Sequence, residues 1–174
     1  MSSEIKKLMK IETVDVTDHL VIEKRAREWC KLPYPDHPEG CPSYDDCSSC
    51  PPDAPHIENF IDLGKEHQFI VNRFNIKKQE KRMLKRNPNW TKKQARCLLY
   101  WQSSVEKRLK EEIKKWEKKG RVGTTIPEAM GVNVFKTARN VGIPIKRIPE
   151  TFVYKIALVG FPQGDMQESL DQYL

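Results

Sequence analysis

FVYKIALVG, residues 152–160, decides how the rest of the chain is arranged. Apart from Lys155 the run is apolar on both faces of a would-be strand, so it reads as a central, covered strand. HQFIVNRF (67–74) has strand character too. IPIKRI (143–148) reads as a further strand, and the short spacer RIPET implies an antiparallel hairpin with 152–160. IETVDV (11–16) alternates loosely and reads as an edge strand, and EKRAREWC (23–30) as a short helix. The polar, basic stretch from 75 to NPNW carries no element in this reading.

The strongest helix signal follows it. Thr91 and Gln94 form a capping box after Pro88. Leu98, Trp101, Val105, Leu109, Ile113 and Trp116 recur at spacings of three and four, a single stripe of a helix that ends near Gly120. Lys, Arg and Glu occupy the other face, several in opposite-charge pairs at spacing four. The stripe is core. Tyr100 points away from it and is the aromatic side chain open to a surface role. Further on, Asn133 is an N-cap for a short helix turning Val134, Ala138 and Val141 inward, and Gly142 and Pro144 stop it. The predicted fold is α+β: a small, mostly antiparallel sheet packed with one long helix and short helices. The core spans 67–160 within a single domain, 1–174.

The segment CKLPYPDHPEGCPSYDDCSSCPPDAPH (30–56) fits none of this. It holds four of the five cysteines and seven of the twelve prolines, so regular structure is excluded. A loop of this length needs something to pin it or a function that uses it. The few apolar residues in it and at its exit (Leu32, Tyr34, Tyr44, Ile57) are too sparse to do so. The spacing is Cys30-x10-Cys41-x5-Cys47-x2-Cys50. Two sulfurs from a Cys-x2-Cys turn reach one metal, and Cys30 and Cys41 complete a set of four. Four thiolates suit Zn(II) or an iron–sulfur cluster. Proline after Cys41 and Cys50, with only one Cys-x2-Cys pair, favours [4Fe-4S] over zinc. His37 and His56 flank the set as candidate replacement ligands, although ordinary loop histidines are the simpler reading. Asp45, Asp46 and Asp53 read as turn formers, and Cys97 as an inert cysteine on the helix margin.

No run of 18 apolar residues exists and the N-terminus lacks the core of a signal peptide, so a cytoplasmic location and no membrane contact are expected. Thiols there stay reduced, and an odd count of five argues against a closed disulfide framework. The net charge of +7 suggests an anionic partner: RNA, DNA or a phosphorylated small molecule. No Walker loop, GxGxxG, HExxH or GxSxG occurs, so no catalytic residue is assigned and the sequence leaves enzymatic activity open.

A cysteine set ending in CPP, followed at a distance by EAMGVNVFKTARNVGIPI, resembles an archaeal and bacterial family described only as predicted metal-binding proteins, a cysteine-rich domain of unknown function. The resemblance spans roughly 29–160, and Glu128, Ala129, Gly131, Val132, Val134, Thr137 and Gly142 occupy the second motif. It implies an iron–sulfur centre at Cys30, Cys41, Cys47 and Cys50. Family members often carry a further cysteine just before EA-x-G, where this chain has Thr124, Thr125 and Ile126, so no second centre is expected. The resulting expectation is a four-cysteine iron–sulfur protein of redox, electron-transfer or accessory role, with a redox partner protein. The alternatives are a zinc-stabilised nucleic-acid-binding module and an iron–sulfur enzyme acting on a small anionic substrate.

Overall fold

The computed structural model describes residues 3–33, 38–42, 44–46 and 49–164. Among them the chain runs through α1 (Ser3–Lys6), β1 (Met9–Asp15) and a 3-10 helix (Lys24–Lys31), then the cysteine segment. After a turn at Ile57–Asn59 come β2 (His67–Asn75), α2 (Ile76–Arg86), α3 (Lys92–Ala95) and a turn at Leu98–Tyr100. The remainder is α4 (Gln102–Glu117), β3 (Val122–Thr124), a 3-10 turn (Pro127–Met130), α5 (Val134–Asn140) and β4 (Phe152–Gly160). The strands form one antiparallel sheet in the order β1-β2-β4-β3. The fold is α+β, and β4 is central with β1 at an edge, as read from their patterns.

Strand register explains why β2 and β4 are apolar on both faces. Phe69 lies opposite Leu158 and Val71 opposite Ile156. These four face Ile57, Ile61, Met130, Val132, Val134 and Ala138. Ile70, Ala157 and Val159 face the other way, onto Leu109 and Ile113 of α4. Phe74 extends that layer to Trp101, Val105, Ile76 and Ile5. Gly123 of β3 sets how closely α4 approaches. A Cβ there would lie 2.7 Å from Val159 Cγ1 and 2.8 Å from Ile113 Cγ2.

Three expectations need correction. The long helix is broken. Thr91 does make its capping box with Gln94, but the box starts only the single turn of α3. Cys97 is extended (φ −52°, ψ 133°), and α4 begins at Gln102. Trp101 supplies the reason: its indole Nε1 donates to the Arg96 carbonyl at 3.1 Å, and its ring stacks on Phe74 with centroids 4.9 Å apart. The stripe is therefore right from Trp101 onward, with Val105, Leu109 and Ile113 buried, whereas Leu98 is 52% exposed. Pairs such as Lys110–Glu106 (2.9 Å) and Arg108–Glu112 (2.8 Å) do line the outer face of α4.

Second, IPIKRI is not a strand and makes no hairpin with β4. Among the described residues no ladder joins 143–148 to β4, and Pro144 lacks a ladder donor. Third, the basic stretch after residue 75 is helix α2. Asn75 caps it by accepting from the Lys78 N–H at 2.8 Å, and Ile76, Gln79 and Met83 are its buried positions. The short helix at α5 is as read: Asn133 Oδ1 accepts from the Lys136 N–H at 3.0 Å, and Val134 and Ala138 are buried.

Candidate metal centre

Cys30 sits near the end of the 3-10 helix Lys24–Lys31, and residue Glu23 fastens that helix. The Glu23 N–H donates to the Gly131 carbonyl at 2.8 Å. Its carboxylate accepts from Asn133 Nδ2 at 2.7 Å and Lys136 Nζ at 3.0 Å, and also pairs with Arg25. Asn133 N–H donates to the Val21 carbonyl at 2.8 Å, and Thr137 Oγ1 accepts from Val21 N–H at 2.9 Å. The EAMGVNVFKT motif is thus the bed on which the first cysteine rests. Sequence reasoning missed Glu23, because its partners lie far along the chain.

These donors hold the Glu23 carboxyl down, from the ordinary 4.5 to about 2. The unfolded chain binds this proton more readily, so the contribution to stability is complete above pH 4.5 and is lost as pH falls toward 2. Urea midpoints measured across that window should fall less steeply in Glu23→Gln than in the unaltered protein. Parallel curves would show that Glu23 contributes nothing to the acid transition.

Cys41 is brought back to Cys30 by a turn at Gly40. Its N–H donates to the Cys30 carbonyl at 2.6 Å. Gly40 has φ +89°, and a Cβ there would run into the Cys30 carbonyl oxygen and come within 2.8 Å of Lys31 Cα. Both obstacles are backbone. Gly40→Ala is expected to cost about 2 kcal/mol or more and to lower metal retention. Metal content after desalting, read beside a denaturant curve, checks both.

Burial pushes the Cys30 thiol up, and the charges of Cys41, Glu128 and Glu28 add to that effect. A bound cation would reverse the balance by favouring thiolate. Glu128 is therefore near the first cysteine, as well as at the start of a helical turn. Lys31 joins the helix to the loop: its Nζ is 2.7 Å from Glu28 and 4.8 Å from the centre of the Tyr44 ring.

The CPP exit is held by the same helix. Arg27, 9% exposed, donates through Nη2 to the Pro52 carbonyl at 2.7 Å. Ala54 N–H donates to the Cys50 carbonyl and Asp45 N–H to the Pro51 carbonyl, both at 2.8 Å. Asp45 is the turn residue expected, at φ +60°. Arg27 Nη1 is buried with no hydrogen-bond partner among the described residues. A cluster held by four thiolates is anionic overall, so an unmatched guanidinium N–H against this loop suits it.

Cys30, Cys41, Cys50 and Cys97 carry no disulfide. Cys47 and His37 lie outside the described residues. Of the four predicted ligands the structure brings Cys30 and Cys41 together. Among the described residues no three His, Cys, Asp or Glu side chains converge as a ligand set. His56 precedes the Ile57–Asn59 turn, and its Nδ1 is buried without a partner among the described residues. Cys97 is half-buried between α3 and α4. A cavity of about 500 Å³ opens beside Ser49, bounded by Pro55, Phe60, Lys114 and Thr125.

Trp101 is core, and Tyr100, 42% exposed, stacks on Trp90 with centroids 5.2 Å apart. Among the described residues no helix is long and apolar enough to cross a membrane. The described residues define an α+β protein whose cysteine segment is tied to the 3-10 helix Lys24–Lys31 by the Cys41–Cys30 and Arg27–Pro52 hydrogen bonds. No family model matches the chain, and no curated protein or solved structure is similar to it.

Proposed function

We propose that Cys30, Cys41, Cys47 and Cys50 hold a [4Fe-4S] cluster and that the protein serves a redox, electron-transfer or accessory role. The observation that carries this is the return of Cys41 onto the Cys30 carbonyl at the Gly40 turn. Arg27, on the helix that bears Cys30, binds the CPP exit and leaves one buried N–H unused among the described residues. The resemblance to the cysteine-rich CPP family, with its iron–sulfur expectation, supports the same reading. When bound, such a cluster supplies one-electron transfer. The chain's own part is to hold thiols against a buried cation and to fix the loop by Glu23, Lys31 and Arg27.

Protein purified without oxygen should be brown and contain about four irons per chain, as a cubane requires. A colourless protein carrying one zinc would overturn the cluster and leave a structural zinc loop. A nucleic-acid-binding role has less support, because Lys110, Arg108 and Lys115 of α4 are each paired with a glutamate of the same helix.

A further inference from the structure

A second cavity, about 220 Å³, lies where Glu128 meets the open end of the sheet. Thr125, Glu128, Lys146, Arg147, Tyr154 and Lys155 bring its polar groups. β3 covers only residues 158–160 of β4. The outer edge of residues 153–156 therefore has no strand partner among the described residues, and these residues line the cavity. In an antiparallel strand alternate N–H groups point away from the paired neighbour, so this edge offers backbone donors that need an acceptor.

The cations come from two directions. Lys155 belongs to β4, whereas Lys146 and Arg147 belong to the segment 143–148 that has strand-like sequence but stands across the cavity from β4 without pairing. Among the described residues no ion pair engages Lys146, Arg147 or Lys155. Lys155 feels the charges of Glu106 and Glu128 without bonding to either. A lysine on an open edge is ordinarily a guard against strand addition. That explains Lys155 alone. It does not explain an arginine and a second lysine facing it from another segment, nor the space kept between them.

We propose that this cavity binds a compact oxyanion, the phosphate group of a small phosphorylated molecule. Arg147 offers the planar fork that matches phosphate oxygens, Lys146 and Lys155 the point charges, and the open edge of β4 its N–H groups. The volume of about 220 Å³ exceeds what a phosphate group fills, so part of the attached molecule shares the cavity and any remainder lies in solvent. This site is independent of the metal reading, although Glu128 borders both.

Calorimetric titration of the full-length, metal-loaded protein with inorganic phosphate tests it. One saturable site is expected, with affinity that falls as salt rises. Arg147→Ala and Lys155→Ala should each weaken binding about tenfold or more. Lys107→Ala, on the exposed face of α4, should leave it unchanged. Absence of a saturable isotherm overturns the proposal, as does an equal loss in Lys107→Ala, which would mark diffuse charge. Metal content is measured before and after titration, and Cys41→Ser protein is titrated alongside. Binding that vanishes in Cys41→Ser yet survives Arg147→Ala would place the anion at the metal and overturn the site. An acidic extended peptide that binds where phosphate does not would also overturn it and identify a strand-addition edge.

Discussion

Cys41→Ser protein is expected to emerge from anaerobic purification without visible absorbance, and with the segment after Lys31 open to protease while the sheet stays folded. The reason is how little else holds that segment. Leu32 is 57% exposed, so it anchors nothing. Among the described residues of the segment, apolar burial begins only at Pro51, Ala54 and Ile57, beyond the last cysteine. The ties shown by the described residues include hydrogen bonds from Cys41, Tyr44, Asp45, Ala54 and Arg27, each worth about 1 kcal/mol, and the Lys31–Tyr44 contact. Fixing the backbone costs about 1–2 kcal/mol for every residue. A structural metal contributes on the order of 10 kcal/mol, and losing one thiolate of four forfeits most of that. Opening is local because Phe69, Val71, Ile156 and Leu158 belong to a core cluster that includes none of the described residues of 31–53. Limited proteolysis with mass spectrometry should find cuts within 31–53 in Cys41→Ser and in chelator-treated protein, and none in the loaded protein. Equal protection in all three would mean that the loop is held by protein contacts alone, and the metal proposal would fail.

Phe74→Ala is expected to cost about 3–5 kcal/mol, a large part of the roughly 5–15 kcal/mol typical of a domain. Phe74 is fully buried at the end of β2 and stacked on Trp101 at an interplanar angle of 16°. Removing it leaves a hole bounded by Ile5, Ile76 and Val105, which come from three helices and cannot all collapse into it. It also deprives Trp101 of the contact that breaks the helix at Cys97. A double-mutant cycle with Trp101→Ala should give a coupling of about 0.5–1.5 kcal/mol from the stacked pair. A loss under about 1 kcal/mol for Phe74→Ala would show that this end of the sheet is not part of the cooperative core.

The sheet was legible where burial on both faces wrote itself into the strand. FVYKIALVG reads as central and is so, whereas HQFIVNRF reads only as a strand and owes its central place to β1 on one side and β4 on the other. The helix break was illegible. Leu98 keeps the three-and-four spacing, yet the helix breaks ahead of Trp101, whose ring packs on Phe74, 27 residues earlier. IPIKRI has the composition of a strand, but Pro144 lacks a ladder donor, and among the described residues no ladder joins the segment to β4, whose edge at 153–156 stays open. β3 itself is three residues with a central glycine, too short for any pattern. In the candidate site the cysteine spacing raises the metal expectation, and the structure adds the return of Cys41 onto the Cys30 carbonyl at Gly40. Glu23 and Arg27 gave no warning. A charged residue in a short basic helix looks solvated until its partners at Asn133 and Pro52 are in place.

The grip of Glu23 on Asn133 and Lys136 joins positions 110 and 113 residues apart. Chains are synthesised from the N-terminus. All four thiols of the CPP loop leave the ribosome well before Asn133 exists, and until then the helix bearing Cys30 has no seat. Cofactor delivery to the growing chain would find loose sulfurs with no frame to order them. On the proposed reading, the seat of the Cys30 helix forms only once Asn133 and Lys136 are made, and a product cut short ahead of Asn133 would keep its cysteines without that seat.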